Sequence, residues 1–184
     1  MYLADCTKAT NYLTYANGSI IVKTEKEAET IGNNAYRNQD VATVHFEACT
    51  SVRDSAFSSC SQLTSIDLPA CTSVRDSAFS SCSQLTSIDL PACTSVGNSA
   101  FSSCSQLTSI DLPACTSVGN YAFSSCRQLT SIDLPACTDI QYSFSGCTNL
   151  KEIHFAAANQ SYIEALTNYS NKFGADSATI YFDL

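Results

Sequence analysis

The chain has 184 residues, the length of one domain, and can bury a continuous core. Its 9 Lys and Arg against 17 Asp and Glu leave a net charge of −8, which disfavours nucleic acid or an anionic membrane as the main partner, since both need a basic footprint. No apolar run approaches the roughly 18 residues of a membrane-crossing helix, so no membrane insertion is expected.

The first residues, Met1 to Lys8, have neither a basic n-region nor an apolar h-region, so no signal peptide is visible. The chain is therefore expected either to stay in the cell that makes it or to be a trimmed piece of an exported protein. Residues 1–30 are read as an N-terminal cap. Within them, Tyr12 to Val22 alternate around Asn17-Gly18, the dipeptide of a tight hairpin turn.

Residues 31–155 are read as about six coils. From Ala48 a 22-residue unit begins, and it restarts at Ala70, Ala92 and Ala114 with few substitutions. Such a period marks a solenoid, whose coils bury their apolar edges against one another and present a long regular surface. One unit spells LxxIxLxxCxxV through Leu63, Ile66, Leu68, Cys71 and Val74. Ser65 to Leu68 has the alternation of a short strand with Ile66 and Leu68 inward, and Pro69 ends it by removing a ladder donor. The Ser-rich return arm, Arg53 to Gln62, is expected to be a turn or short 3₁₀ piece with Ala56, Phe57 and Cys60 in the core. Degenerate copies flank the four, with Ile31 to Tyr36 and Val41 to Phe46 before them, and Ile140 to Cys147 and Leu150 to Phe155 after. Six strands follow, centred near residues 44, 66, 88, 110, 132 and 153.

The Leu-x-x-Ile-x-Leu core resembles the leucine-rich repeat. The arm Val96-Gly-Asn-Ser-Ala-Phe-Ser-Ser-Cys104 narrows the match, because it resembles the BspA-like (Treponema-type) leucine-rich repeat family over roughly residues 30–155. The chain departs from that family's commoner Leu at Cys71, Cys93, Cys115 and Cys137, which keeps an apolar group inward. The resemblance implies an α/β-type repeat solenoid, a right-handed coil with a parallel β-sheet on its concave face and caps at both ends. It also implies a cell-surface or secreted adhesion module, as in adhesins of mucosal and gut microbes that attach to host proteins or other bacteria.

Nine of the eleven cysteines, Cys49 to Cys137, recur every 11 residues and form two columns. Neighbours in a column would lie about 4.8 Å apart with parallel Cα–Cβ vectors, whereas a disulfide needs Cβ atoms near 3.8 Å and turned toward each other. Reduced, buried thiols acting as small hydrophobes are expected. No CxxC pair occurs and neither His falls in a column, which argues against a metal ladder. Cys6 lies outside the columns.

Residues 156–184 are read as a C-terminal cap that completes the chain. Ser161-Tyr-Ile-Glu164 has the form of a capping box, with Ile163, Leu166 and Phe173 on one face of a helix ending at Gly174. Ala178 to Phe182 reads as a last strand pairing with the final coil.

Outward strand positions line up as His45, Asp67, Asp89, Asp111, Asp133 and His154, flanked by Ser65, Ser87, Ser109 and Ser131 and then by a Thr column from Thr64 to Thr130. Aligned carboxylates repel by under about 1 kcal/mol per neighbouring pair in water, so the column should welcome cations or a basic or hydroxyl-rich partner. If a metal binds, Ca²⁺ at Asp89 and Asp111 is the expectation. The alternative is that Asp only keeps this face soluble and discourages association. The two His, about 25 Å apart at ~4.8 Å per strand, cannot act together; each is expected to occupy the Asp position of a diverged coil.

No GxSxG, HExxH, GxGxxG or P-loop pattern occurs, and the serines lack a paired His, so no enzyme and no cofactor are expected. The expected role is recognition of a protein or glycan partner on a host or microbial surface through the concave face, by a monomer. A structural spacer or a fibre or phage-tail component, in which repeats set length, is the alternative. The sequons at Asn17, Asn159 and Asn168 matter only in a secretory pathway.

Overall fold

Near-identical repeats stack without offset, because a shift of one residue would turn every inward Ile out and every outward Ser in. The computed structural model describes residues 11–16, 19–24, 30–166 and 169–183. In it, strands Ser65–Asp67, Ser87–Asp89 and Ser109–Asp111 pair in parallel, Ile66 facing Ile88 and Ile88 facing Ile110. Val41–His45 pairs in parallel on the N-terminal side. Before it stands the expected antiparallel hairpin, Asn11–Ala16 with Ser19–Thr24, whose second strand pairs with Val41–His45 across a register shift. The Asn17-Gly18 turn and Cys6 lie outside the described residues.

Toward the C-terminus Ser131–Leu134, Glu152–Phe155 and Thr179–Phe182 form a separate three-stranded parallel sheet. The last strand therefore pairs with the final coil as expected. The strand face divides between Ser109–Asp111 and Ser131–Leu134, which belong to different sheets. The result is a parallel β-solenoid of about six turns.

A second six-stranded parallel ladder, from Thr30–Ile31 through Ser51–Val52, Ser73–Val74, Ser95–Val96 and Ser117–Val118 to Asp139–Ile140, runs along another side. The sequence pattern did not disclose it, since two-residue strands are too short to show an alternation. Helix is confined, among the described residues, to the C-terminal segment. The return arms are successive turns, and all but the last have two left-handed residues each, such as Ser55 (φ 55°) and Ser59 (φ 62°). Their N–H groups reach the following coil, Ser55 to the Asp76 carbonyl at 2.9 Å and Phe57 to that of Ala78 at 2.7 Å. Alternate donors of the arm are thus satisfied between coils, while Ala56, Ser58 and Cys60 bond back to the carbonyls of Arg53, Ser55 and Phe57 within it.

The core contains Leu63, Ile66, Leu68, Cys71, Val74 and their repeats, with Ala56, Phe57 and Cys60 from the arm, all buried as expected. Tyr36, Phe57, Phe79, Phe101, Phe123 and Phe144 stack face to face, with centroid distances opening steadily from 5.0 Å to 5.8 Å. The ten cysteines from Cys49 to Cys147 are free and buried.

The C-terminal segment corrects one expectation. The helix spans only Gln160–Glu164, with Asn159 at its N-cap, so Ser161 caps nothing. Glu164 instead accepts a bond from Gln160 Nε2 at 2.9 Å. The cause is tertiary: Asn159 Nδ2 donates to the carbonyls of Pro135 (3.0 Å) and Cys137 (3.3 Å), which pins the helix start to the preceding coil. Phe173 does reach the core, but through left-handed Lys172 and Phe173 rather than on a helical face. Its carbonyl accepts the Phe144 N–H at 3.0 Å.

Candidate functional site on the strand face

Strand alternation exposes Ser and Asp on either side of each buried Ile, giving the burial order exposed, buried, exposed in Ser65–Asp67, Ser87–Asp89 and Ser109–Asp111. In-register pairing sets Asp67 beside Asp89 and Asp89 beside Asp111, and Ser65 beside Ser87 and Ser109. The columns continue as His45 beside Asp67, and as Asp133 beside His154 and Ser131 beside Glu152. Both His therefore stand in the Asp column, as expected.

The columns do not have the same surroundings along their length. A trough of about 500 Å³ opens over the middle strands, walled by Ser87, Asp89, Ser109, Asp111, Ser131 and Asp133. Ile66, Ile88, Ile110, Ile132 and Thr108 complete its lining. The isoleucines are core residues whose edges form the floor; Ile110, at the break between the two sheets, is the most exposed of them at 8%. Their contribution is the part of the site the sequence pattern concealed, since a residue read as inward was assigned wholly to the core. The trough thus joins an apolar floor to polar walls, the combination found in recognition surfaces.

Ser65, Asp67, His45 and His154 lie beyond this lining. Instead, each His meets carboxylates at its end of the column. His45 Nδ1 meets Asp67 Oδ2 at 2.6 Å, with Glu47 3.6 Å from its Nε2. His154 Nδ1 meets Asp183 Oδ1 at 2.8 Å, and its ring stacks on Tyr181 at 4.8 Å. The bond to Asp183 holds the His154 pKa above its ordinary value, against the opposing effect of burial and with further help from Asp133 and Glu152. By contrast, the carboxylates of Asp89 and Asp111 make no hydrogen bond or ion pair among the described residues.

Two other expectations meet the geometry differently. Among the described residues no three His, Cys, Asp or Glu side chains group so as to hold a metal ion. The Thr column is engaged in the fold: Thr64, Thr86 and Thr108 each donate a hydroxyl to a carbonyl of the preceding coil at 3.0–3.3 Å. No described helix is long and apolar enough to cross a membrane.

Residues 29–151, and again 72–172, match the family described as BspA type Leucine rich repeat region, in six copies. A leucine-rich repeat protein from Bacteroides ovatus superposes with a TM-score of 0.63 at 25% identity, over 84% of this chain and 45% of that one. The T. pallidum leucine rich repeat protein also gives 0.63, at 22% identity, over 100% and 83%. A leucine rich cell surface protein from Faecalibacterium prausnitzii gives 0.50 at 19% identity, over 82% and 55%. The chain thus spans less than half the length of the Bacteroides ovatus protein. Comparison with curated proteins finds no match.

Proposed function

Because the chain belongs to the BspA-type leucine-rich repeat family, we propose that it is a recognition module that binds a protein partner through the trough on its strand face. The observation that carries this reading is the union in one trough of unpaired Asp89 and Asp111 with the Ile88 and Ile110 edges. A basic side chain of the partner meets the carboxylates while an apolar one covers the isoleucines. This pairing of a charged wall with an apolar floor is how a rigid surface obtains specificity as well as affinity. The fold serves that purpose, since every coil is held by backbone bonds to its neighbours and the trough needs little ordering on binding. Display at a cell surface, for adhesion to host or microbial proteins, fits the cell-surface relative of similar fold.

The test is biolayer interferometry of the chain against a panel of host extracellular-matrix proteins, mucins and intact bacterial cells, with two variants run in parallel. Ile110→Arg blocks the floor, and Asp89→Asn with Asp111→Asn discharges the wall. Partner binding should fall about tenfold or more in each, while the melting temperature of the double Asn variant stays level or rises as like-charge repulsion is relieved. Unchanged binding in both variants would move the interface off this face.

A further inference from the structure

The second ladder brings together two basic side chains that stand far apart in sequence. Ser51 pairs with Ser73 and Val52 with Val74, and the Arg75 N–H then donates to the Val52 carbonyl at 2.8 Å. Arg53 and Arg75 therefore leave adjacent coils at one level, with backbones about 4.8 Å apart. Alternation buries Val52 and Val74 and sends both arginines into solvent. Beside them lies a pocket of about 310 Å³ lined by Asn33, Ser51, Arg53, Asp54 and Arg75.

Neither guanidinium forms an ion pair or a side-chain hydrogen bond among the described residues. Asp76, which follows Arg75 in the chain, is occupied: it accepts the Asn98 N–H at 2.8 Å and lies 3.3 Å from Asn98 Nδ2. In the third and fourth copies the arginine position holds Gly97 and Gly119. A Cβ on Gly97 would come within 2.6 Å of Asp76 Oδ1, and one on Gly119 within 2.8 Å of the Asn98 backbone nitrogen. The arginine pair thus belongs only to the first two of four otherwise near-identical copies.

We propose that Arg53 and Arg75 form a clip for a single tetrahedral oxyanion, a sulfate or phosphate group, with Ser51 and Asn33 as further donors. A guanidinium presents a planar fork that engages two oxygens at once. A tetrahedral anion offers separate oxygen pairs to two forks, whereas a carboxylate is used up by one. The anion also relieves the repulsion between two cations held side by side. This site lies on a different side of the coil from the trough and does not depend on it.

The experiment uses the ¹⁵N-labelled full chain and follows the arginine Nε–Hε resonances during titration with sodium sulfate, sodium phosphate or sodium acetate at constant ionic strength. Arg53 and Arg75 should shift together and saturate on one isotherm with sulfate, with acetate about tenfold weaker. Arg53→Gln and Arg75→Gln should each weaken sulfate binding about tenfold, Asp54→Asn should strengthen it, and Arg127→Gln, outside the pocket, should leave it unchanged. Unsaturated shifts spread over all arginines, or an unaltered isotherm in both Gln variants with native spectra, would overturn the clip. Glucosamine 6-sulfate binding more tightly than free sulfate assigns the group to a sugar; equal affinity assigns it to the free anion. Either order supports the clip.

Discussion

Cys82 Sγ donates to the carbonyl oxygen of Phe57 at 3.2 Å, reaching from its own coil into the preceding one. Cys60, Cys104, Cys126 and Cys147 make the same kind of bond to the carbonyls of Tyr36, Phe79, Phe101 and Phe123. The arm position thus needs a small apolar group that is also a weak donor, which is what a thiol supplies. Burial pushes these thiols up in pKa, Cys60 to about 11 and Cys147 to about 12, so little thiolate forms near neutrality. Iodoacetamide at about pH 8 should therefore leave Cys60, Cys82, Cys104, Cys126 and Cys147 unmodified in the folded chain and alkylate all of them in guanidinium. Mass spectrometry of peptides checks this; alkylation of any of these five without denaturant would show that the arm column opens.

Phe101 sits in the middle of the aromatic stack, 5.4 Å from Phe79 and 5.6 Å from Phe123. Removing its ring in Phe101→Ala should cost about 3–5 kcal/mol. Because each coil touches only its neighbours, the loss falls on one interface and should split a single unfolding transition into two. Calorimetry reads both effects, and Phe101→Leu should restore most of the cooperativity.

Tyr121 is the one departure from Ser at its place in the four regular copies. It has a left-handed backbone, φ 58°, with its side chain 51% exposed. A bulky residue in that region carries a penalty of about 1 kcal/mol that glycine avoids. Tyr121→Gly should therefore stabilise the chain by somewhat under ~1 kcal/mol, because added freedom in the unfolded state offsets part of the gain. A raised urea midpoint with an unchanged slope is the expected result.

His154 makes the C-terminal strand sensitive to pH. Its bond to Asp183 raises its folded pKa above the ordinary 6.5. The group therefore contributes stability that is fully present below pH 6.5 and is lost as pH rises through the folded value. Melting curves taken across that interval should show the fall, and His154→Gln should flatten it. Asp183→Asn should bring the His154 titration, followed by NMR, back toward 6.5.

The trough was half legible in advance. Ser87, Asp89, Ser109 and Asp111 could be placed on one face because a period of two assigns sides and a period of 22 assigns rows. Ile110 could not be given its second role, because a sequence marks a residue as inward without saying that a break between sheets will leave its edge exposed. The engagement of His154 by Asp183 was equally hidden, since the two lie 29 residues apart and outside the period.

The sequence by itself determined what repetition dictates: the coil, its inward residues, the aligned outward columns and the free, buried thiols of the cysteine columns. Identical units must make identical contacts, so one unit read correctly yields them all. Tertiary structure alone decided what depends on how unlike segments meet. It joined Arg53 to Arg75 through a ladder of two-residue strands too short to read. It set the start of the helix Gln160–Glu164, because Asn159 bonds to the coil before it. It also confined the open trough to the middle of a face at whose ends His45 and His154 meet carboxylates. In each case the partner lies outside the local sequence window, where period and propensity carry no information.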